Sequence, residues 1–235
     1  MKTITIVQAR MSSNRLPGKV LRLVEGKTLL AYLLESLKQC NSLGQIVVAT
    51  SLEASDDPIA AACRGIGVLC FRGPLENVAE RFRMLLDVCP CDRFVRANGD
   101  SPLLDHRLVD QGVGLFQSGN YDLVTNTQPR TFPRGQSVEV VRTDVFQEAC
   151  RRMTEPEDKE HVTRFFYRHA SEFRIHNFES GRDFGGLHMA VDEQRDFEAF
   201  EAAVRRMNKP HWKYALDELA GLYRGGVHQS AEARA

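Results

Sequence analysis

The twelve residues from Gln8 to Lys19 read QARMSSNRLPGK and hold three fixed cations, Arg10, Arg15 and Lys19, together with two serines and a Pro-Gly turn. Guanidinium forks, an ammonium group and successive backbone N–H groups in so short a span suit an oligophosphate. Three cations at one chain terminus of a strand repel one another unless an anion lies among them, so the segment reads as a phosphate-holding loop and not as a merely solvated one. It is neither a GxxxxGK[ST] loop, because Val20 follows Lys19, nor a GxGxxG loop, because Gly18 stands alone. A second cluster, RFVRANGDSPLLD, sets Asp100 behind Asn98 and Gly99, with Asp105 placed to cap the next helix. The third, VDEQRDF, carries Asp192 and, four residues on, Asp196. Carboxylate oxygens are hard ligands that suit magnesium. Two separated carboxylates facing a triphosphate loop would form a site for metal-assisted phosphoryl or nucleotidyl transfer, although each aspartate alone also fits a helix N-cap.

Positioning these residues requires a sheet that delivers all three clusters to one crevice. Short β-branched runs alternate with segments of helical period, the pattern of parallel strands joined by crossover helices. Strands are expected at Thr3 to Gln8, Gln45 to Thr50, Val68 to Phe71, Arg93 to Ala97 and Tyr121 to Thr125. Helices are expected at Thr28 to Cys40, Pro58 to Arg64 with Asp57 as its cap, Glu76 to Val88 and Arg107 to Gln117. After Asn126 the rhythm changes. An alternating strand at Ser137 to Arg142 leads to helices near Thr143 to Arg152 and Glu157 to His169, then strands at Phe173 to Phe178 and His188 to Val191, then helices beginning near Glu193 and Lys213. With no linker or repeat, the pattern predicts one domain over residues 1–235, with an elaboration for substrate or dimer contacts at about 127–180, and a fraying tail at Gly225 to Ala235. Ligands of doubly wound sheets bind beyond the carboxyl ends of the strands, where all three clusters fall.

Thirty-one basic side chains balance 31 acidic ones in 235 residues, so the global positive charge of a general nucleic-acid binder is missing. The longest apolar run, Leu29 to Leu34, is too short to span a bilayer, and Gln8 and Arg10 interrupt the start before a secretory signal develops. A cytoplasmic location without membrane insertion is the expectation. The six cysteines are then reduced thiols; the Cys89-Pro90-Cys91 pair has neither the spacing of a redox motif nor the partners of a zinc framework.

Seven segments carry a resemblance: QARMSSNRLPGKVL, VVATS with DDPIAAAC, FRGPLENVAERF, VRANGDSPLLD, YDLVTN with TFPRGQSVEVV, EHVTRFF and VDEQRDFEAF. Over most of its length the chain resembles the spore coat polysaccharide biosynthesis protein F family, a branch of the cytidylyltransferases that includes the synthetases of CMP-activated Kdo and sialic acid. The resemblance implies an α/β, Rossmann-like nucleotidyltransferase fold of the nucleotide-diphospho-sugar transferase type, a three-layer α/β/α sandwich with a mixed, mostly parallel sheet. It further implies CTP, Mg2+ and a sugar or sugar-acid acceptor as partners, in bacterial surface polysaccharide synthesis, with a homodimer as a family expectation. The alternating strand Ser137 to Arg142 is then a candidate edge for the second subunit.

Carried over by position, Arg10 and Lys19 match residues that hold the triphosphate, Ala9 matches the edge that meets the base, and Asp100 and Asp192 match the metal carboxylates. Ser12, Arg15, Gly18 and Asn98 complete the nucleotide-holding set. Arg72, Arg96, Arg134, Glu139 and His161 are candidates for the acceptor, the last equally readable as a packing residue at a helix start. Where the family pattern runs Gly-Leu-Asp-Val-Glu, this chain has Gly135, Gln136, Ser137, Val138 and Glu139, so one carboxylate is missing. The implied reaction is in-line attack of an acceptor oxygen on the α-phosphorus, with pyrophosphate leaving. Two alternatives stand beside it. A glycosyltransferase using a nucleotide-sugar would normally carry a DxD motif, which this chain lacks; a non-catalytic nucleotide-binding subunit would not need both Asp100 and Asp192.

Overall fold

The computed structural model describes residues 2–232, with side chains described as far as residue 224. In chain order the elements are β1 (Thr3–Gln8), β2 (Leu23–Val24), β3 (Lys27–Thr28), α1 (Leu29–Leu37), β4 (Gln45–Ser51), α2 (Asp57–Gly65), β5 (Leu69–Gly73), α3 (Val78–Val88), β6 (Arg93–Asn98) and α4 (His106–Ser118). There follow β7 (Leu123–Thr125), β8 (Glu139–Arg142), α5 (Thr143–Arg152), α6 (Pro156–Glu160), α7 (Arg164–Arg168), β9 (Ile175–Asn177), α8 (Gln194–Arg205) and α9 (Leu216–Glu232). Seven strands form one sheet in the order β5-β4-β1-β6-β8-β7-β9, in which only β8 runs antiparallel to its neighbours. β2 and β3 form a separate antiparallel ribbon.

Alternation along the central strands splits the core in two. Val7, Val48 and Val95 face one side with α1, α2 and α4, while Ile4, Ile6, Val47 and Phe94 face the other with α3, α5 and α7. Both faces of β1 are therefore apolar, as a central parallel strand requires. A third cluster joins Leu16 and Leu29 to Met189, Val191, Phe200 and Tyr214, and so ties the loop after β1 to the segment entering α8. This cluster folds the last third of the chain back over the start.

Several expectations need correction. Asp56, not Asp57, is the N-cap of α2. The helix expected over Glu157 to His169 is broken into α6 and α7, and His161 is the C-cap of α6, so it does not start a helix. His188 to Val191 is no strand; a lone bridge from Arg134 to His188 is all the ladder it makes. Strand β8 lies between β6 and β7, so both its edges are already paired and it offers none to a second subunit. The strand expected at His188 to Val191 was misread because a short apolar run looks like a strand whether it enters a sheet or packs as a loop on a core. The fray expected at Gly225 to Ala235 falls on residues whose side chains, and from 233 onward whose backbone, lie outside the described residues. Among the described residues no helix is long and apolar enough to cross a membrane, and all six cysteines are free thiols.

Candidate active site

The loop after β1 is built before any ligand arrives. Gly18 adopts φ 70°, in the left-handed region where a side chain is strained, and its N–H donates to Met11 O at 2.9 Å, so the loop closes on itself. The Asp56 carboxylate pins the outer arm. It is fully buried and accepts hydrogen bonds from Met11 N at 2.7 Å, Thr50 Oγ1 at 2.9 Å and Ser51 N at 3.0 Å, with a further one from Ser51 Oγ. Burial by itself would raise the Asp56 pKa, and these hydrogen bonds outweigh it, holding the group below the usual carboxylate range.

Loop closure places Lys19 where the three clusters meet. Its ammonium donates to Val191 O at 2.7 Å, to Asp100 Oδ2 at 3.1 Å and to Asp192 Oδ1 at 3.2 Å. Asp100 follows β6 and Asp192 follows Val191, whose N–H donates to Asp100 O. Arg15 reaches Asp192 at 3.0 Å. Burial raises the Asp192 pKa, but Lys19 first, then Arg15 and His188, lower it further, with a net result below the ordinary range. Asp196 serves the helix: its Oδ2 accepts from the N–H groups of Asp192 and Glu193 at 3.0 and 2.9 Å, in a capping box for α8. Asp105 likewise caps α4 through Arg107 N. One atom each of His188, Asp192 and Asp196 lie within 4.8 Å of one another, an arrangement that could hold a metal ion beside the first carboxylate pair.

A cavity of about 360 Å³ opens over the carboxyl ends of β1 and β6. Ala9, Arg10, Arg15, Lys19, Asn98, Asp100, Asp192, Arg96 and His161 all line it, so most of the expected residues are brought together. Asn98 Oδ1 is buried there without a hydrogen-bond partner. Arg10 pairs with Glu160 at 2.9 Å. Arg96 pairs with Glu139 at 2.6 Å, and Glu139 also accepts from Thr163 Oγ1 at 2.7 Å and Tyr167 Oη at 2.6 Å. Burial pushes the Glu139 pKa up, and the Arg96 charge with these hydrogen bonds brings it below the usual range.

Other expectations fail on geometry. Ser12 is exposed and does not line the cavity; Ser13 and Asn14 do. Gly18 supplies the turn and is not a lining residue. Arg72 turns away to Ser51 O, Glu53 O and Asp57, because β5 is an edge strand and its terminal side chain has solvent to reach. Arg134 is exposed and outside the lining. Glu139 is buried, paired with Arg96, and does not line the cavity. Ser137, at the position of the missing carboxylate, accepts from Arg130 at 3.1 Å. Sequence reasoning also missed lining residues Gln8, Val78 and Arg81. Arg81 had a legible signal, an arginine on the apolar stripe of α3 between Val78 and Leu85.

Comparison with known proteins bears on the family and the fold. The family profile described as Cytidylyltransferase matches residues 4–227. The chain is 30% identical to the spore coat polysaccharide biosynthesis protein SpsF of Bacillus subtilis, covering 86% of this chain and 85% of that protein. It is 29% identical to 3-deoxy-manno-octulosonate cytidylyltransferase of Bdellovibrio bacteriovorus over 62% of this chain and 58% of the relative. Among solved structures, a cytidylyltransferase from Leptospira borgpetersenii superposes with a TM-score of 0.92 at 26% identity, covering 97% of this chain and 96% of that one. A CMP:2-keto-3-deoxy-manno-octonic acid synthetase complexed with CTP shares the fold, with a TM-score of 0.70 at 19% identity over 88% of this chain and 99% of that one.

Proposed function

This chain belongs to the cytidylyltransferase family, and from that premise we propose that it transfers CMP from CTP to a sugar or sugar-acid acceptor, releasing pyrophosphate, for polysaccharide synthesis. The observation that carries the reading is the convergence on Lys19 of Asp100 and Asp192, the latter 173 positions away in sequence, at the mouth of a loop rich in cations.

The residues present fit a magnesium ion. Asp100 and Asp192 offer hard oxygen donors toward one point, both half-buried and both paired with Lys19, and the orphaned Asn98 Oδ1 adds a neutral acceptor in the same cavity. When bound there, the ion would neutralise charge on the α-phosphate as the acceptor oxygen adds.

The protein's own contribution is positioning and charge. In this reading Lys19 and Arg15 hold the β- and γ-phosphates of the triphosphate, and their charge stabilises departing pyrophosphate. Arg10, held by Glu160, flanks the same loop. The base lies against Ala9 in this reading, and the acceptor approaches from Arg96 and His161, on the β6 side of the cavity. Fixing Arg96 through buried Glu139 leaves little side-chain freedom to lose on binding.

The test is pyrophosphate release from CTP with magnesium across a panel of sugars and sugar acids. Wild type should turn over with at least one acceptor, and Asp100→Ala should lose nearly all of it. Wild-type turnover by Asp100→Ala at limiting magnesium would remove the metal assignment.

A further inference from the structure

Among the described residues, one cation in the cavity forms no salt bridge. Arg10, Arg15, Lys19 and Arg96 each pair with a carboxylate. Arg81 lines the same cavity from the first turns of α3, its side chain among the largest that are fully buried, with the residue 1% exposed. Its single hydrogen bond is a long one, 3.3 Å from Nη2 to Leu75 O, and Nε is buried with no partner at all. The nearest influential carboxylate, Asp56, has its oxygens taken by Met11, Thr50 and Ser51. Burial, with Arg10 nearby and only Asp56 opposing, pushes the Arg81 guanidinium down to about 10.

A buried, under-bonded guanidinium is costly, and an apolar residue of similar length would fit the stripe of α3 better. The neighbouring strand accommodates it all the same. Gly73 ends β5 against the stem of Arg81, and a Cβ there would lie 2.8 Å from Arg81 Cγ. Arg81 lines the cavity with no carboxylate paired to it among the described residues, and a planar fork of donors matches a carboxylate or phosphate group.

We infer that Arg81 is an anion-binding residue of this cavity, taking a phosphate or carboxylate group of a bound substrate. The cytidylyltransferase reading decides only which molecule brings that group, the nucleotide or an acidic acceptor. Charge distribution makes the need concrete: five cations but three carboxylates line the cavity, and Glu139 behind Arg96 still leaves Arg81 in excess.

Calorimetric titration of Arg81→Met, Arg81→Lys and Gly73→Ala separates the possibilities. Pyrophosphate is titrated into the nucleotide-free protein, and inorganic phosphate into protein saturated with CTP without divalent ion. Arg81→Met should weaken at least one of the two more than tenfold while its ligand-free melting temperature stays level or rises, because an apolar side chain relieves the burial. Arg81→Lys should recover part of the affinity, and Gly73→Ala, which displaces the guanidinium without removing it, should weaken the same probe. Loss confined to pyrophosphate assigns the anion to the nucleotide; loss confined to phosphate assigns it to the acceptor. Unchanged affinity for both probes in Arg81→Met overturns the inference, as does a lowered melting temperature with binding intact, the mark of a purely structural arginine. Equal weakening toward cytidine, which has no phosphate, would also overturn it. Should wild type fail to bind CTP, the cytidylyltransferase reading falls, yet the pyrophosphate titration still decides the role of Arg81.

Discussion

In the proposed site Lys19 would compete with a divalent ion for the same two carboxylates, so Lys19→Met should make the ligand-free protein bind Mn2+ more tightly while binding CTP more weakly. In the ligand-free site the ammonium lies 3.1 Å from Asp100 and 3.2 Å from Asp192. At 3.1 Å a unit-charge pair is worth about 5 kcal/mol at an effective dielectric of about 20 and about 1 kcal/mol in bulk water. The lysine side chain is 10% exposed but its partners are 28% and 21% exposed, which places each pair between these limits, near 2 kcal/mol. Freeing one carboxylate from that pair alone corresponds to roughly 30-fold tighter ion binding. Isothermal titration of Mn2+ into both proteins without nucleotide measures the gain, and CTP titration measures the loss. Equal or weaker Mn2+ binding by the variant would mean that Asp100 and Asp192 are not the ion's ligands. Unchanged CTP affinity would remove Lys19 from the phosphate site.

Glu139→Gln leaves the Arg96 charge facing a neutral amide in a nearly dry site and should cost about 3 kcal/mol in urea denaturation; an unmoved midpoint would show that Arg96 finds water instead. Asp56 titrates below its unfolded value near 4, so its contribution to stability is present above that pH and is lost as pH falls through the lower folded value. The stability gap between wild type and Asp56→Asn should therefore shrink below about pH 4, and a gap constant from pH 7 to pH 3 would contradict the hydrogen-bond account. Thermal shifts with the four nucleoside triphosphates should be largest for CTP, on the order of 2.7 kcal/mol at a hundredfold excess over Kd; equal shifts would withdraw the base preference while leaving nucleotidyl transfer standing.

What could be read in the sequence was whatever a local pattern encodes. Thr143–Arg152 came out with its observed ends because its apolar spacing and flanking residues agree; β1, buried on both faces, did so too, while β4 and β6 each run one residue past their expected ends. The β2–β3 ribbon was missed, since two residues per strand carry no period. Arg72 was misassigned for a different reason: an arginine at the end of a strand points to the crevice only if that strand is internal, and strand order is not a local property. Glu139 shows the same limit from the other side. Its sequence position suggested an acceptor contact, but pairing of β8 with β6 puts Arg96 in front of it.

Residue type and spacing alone determined that cations gather after the first strand and that acidic groups stand after two later segments, because strand, turn and cap signals span only a few positions. Tertiary structure decided which of these charges cancel and which do not. Coulomb interactions act through space, so only the folded arrangement could show Lys19 already satisfied by two aspartates and Arg81, one turn into a helix, left without an anion.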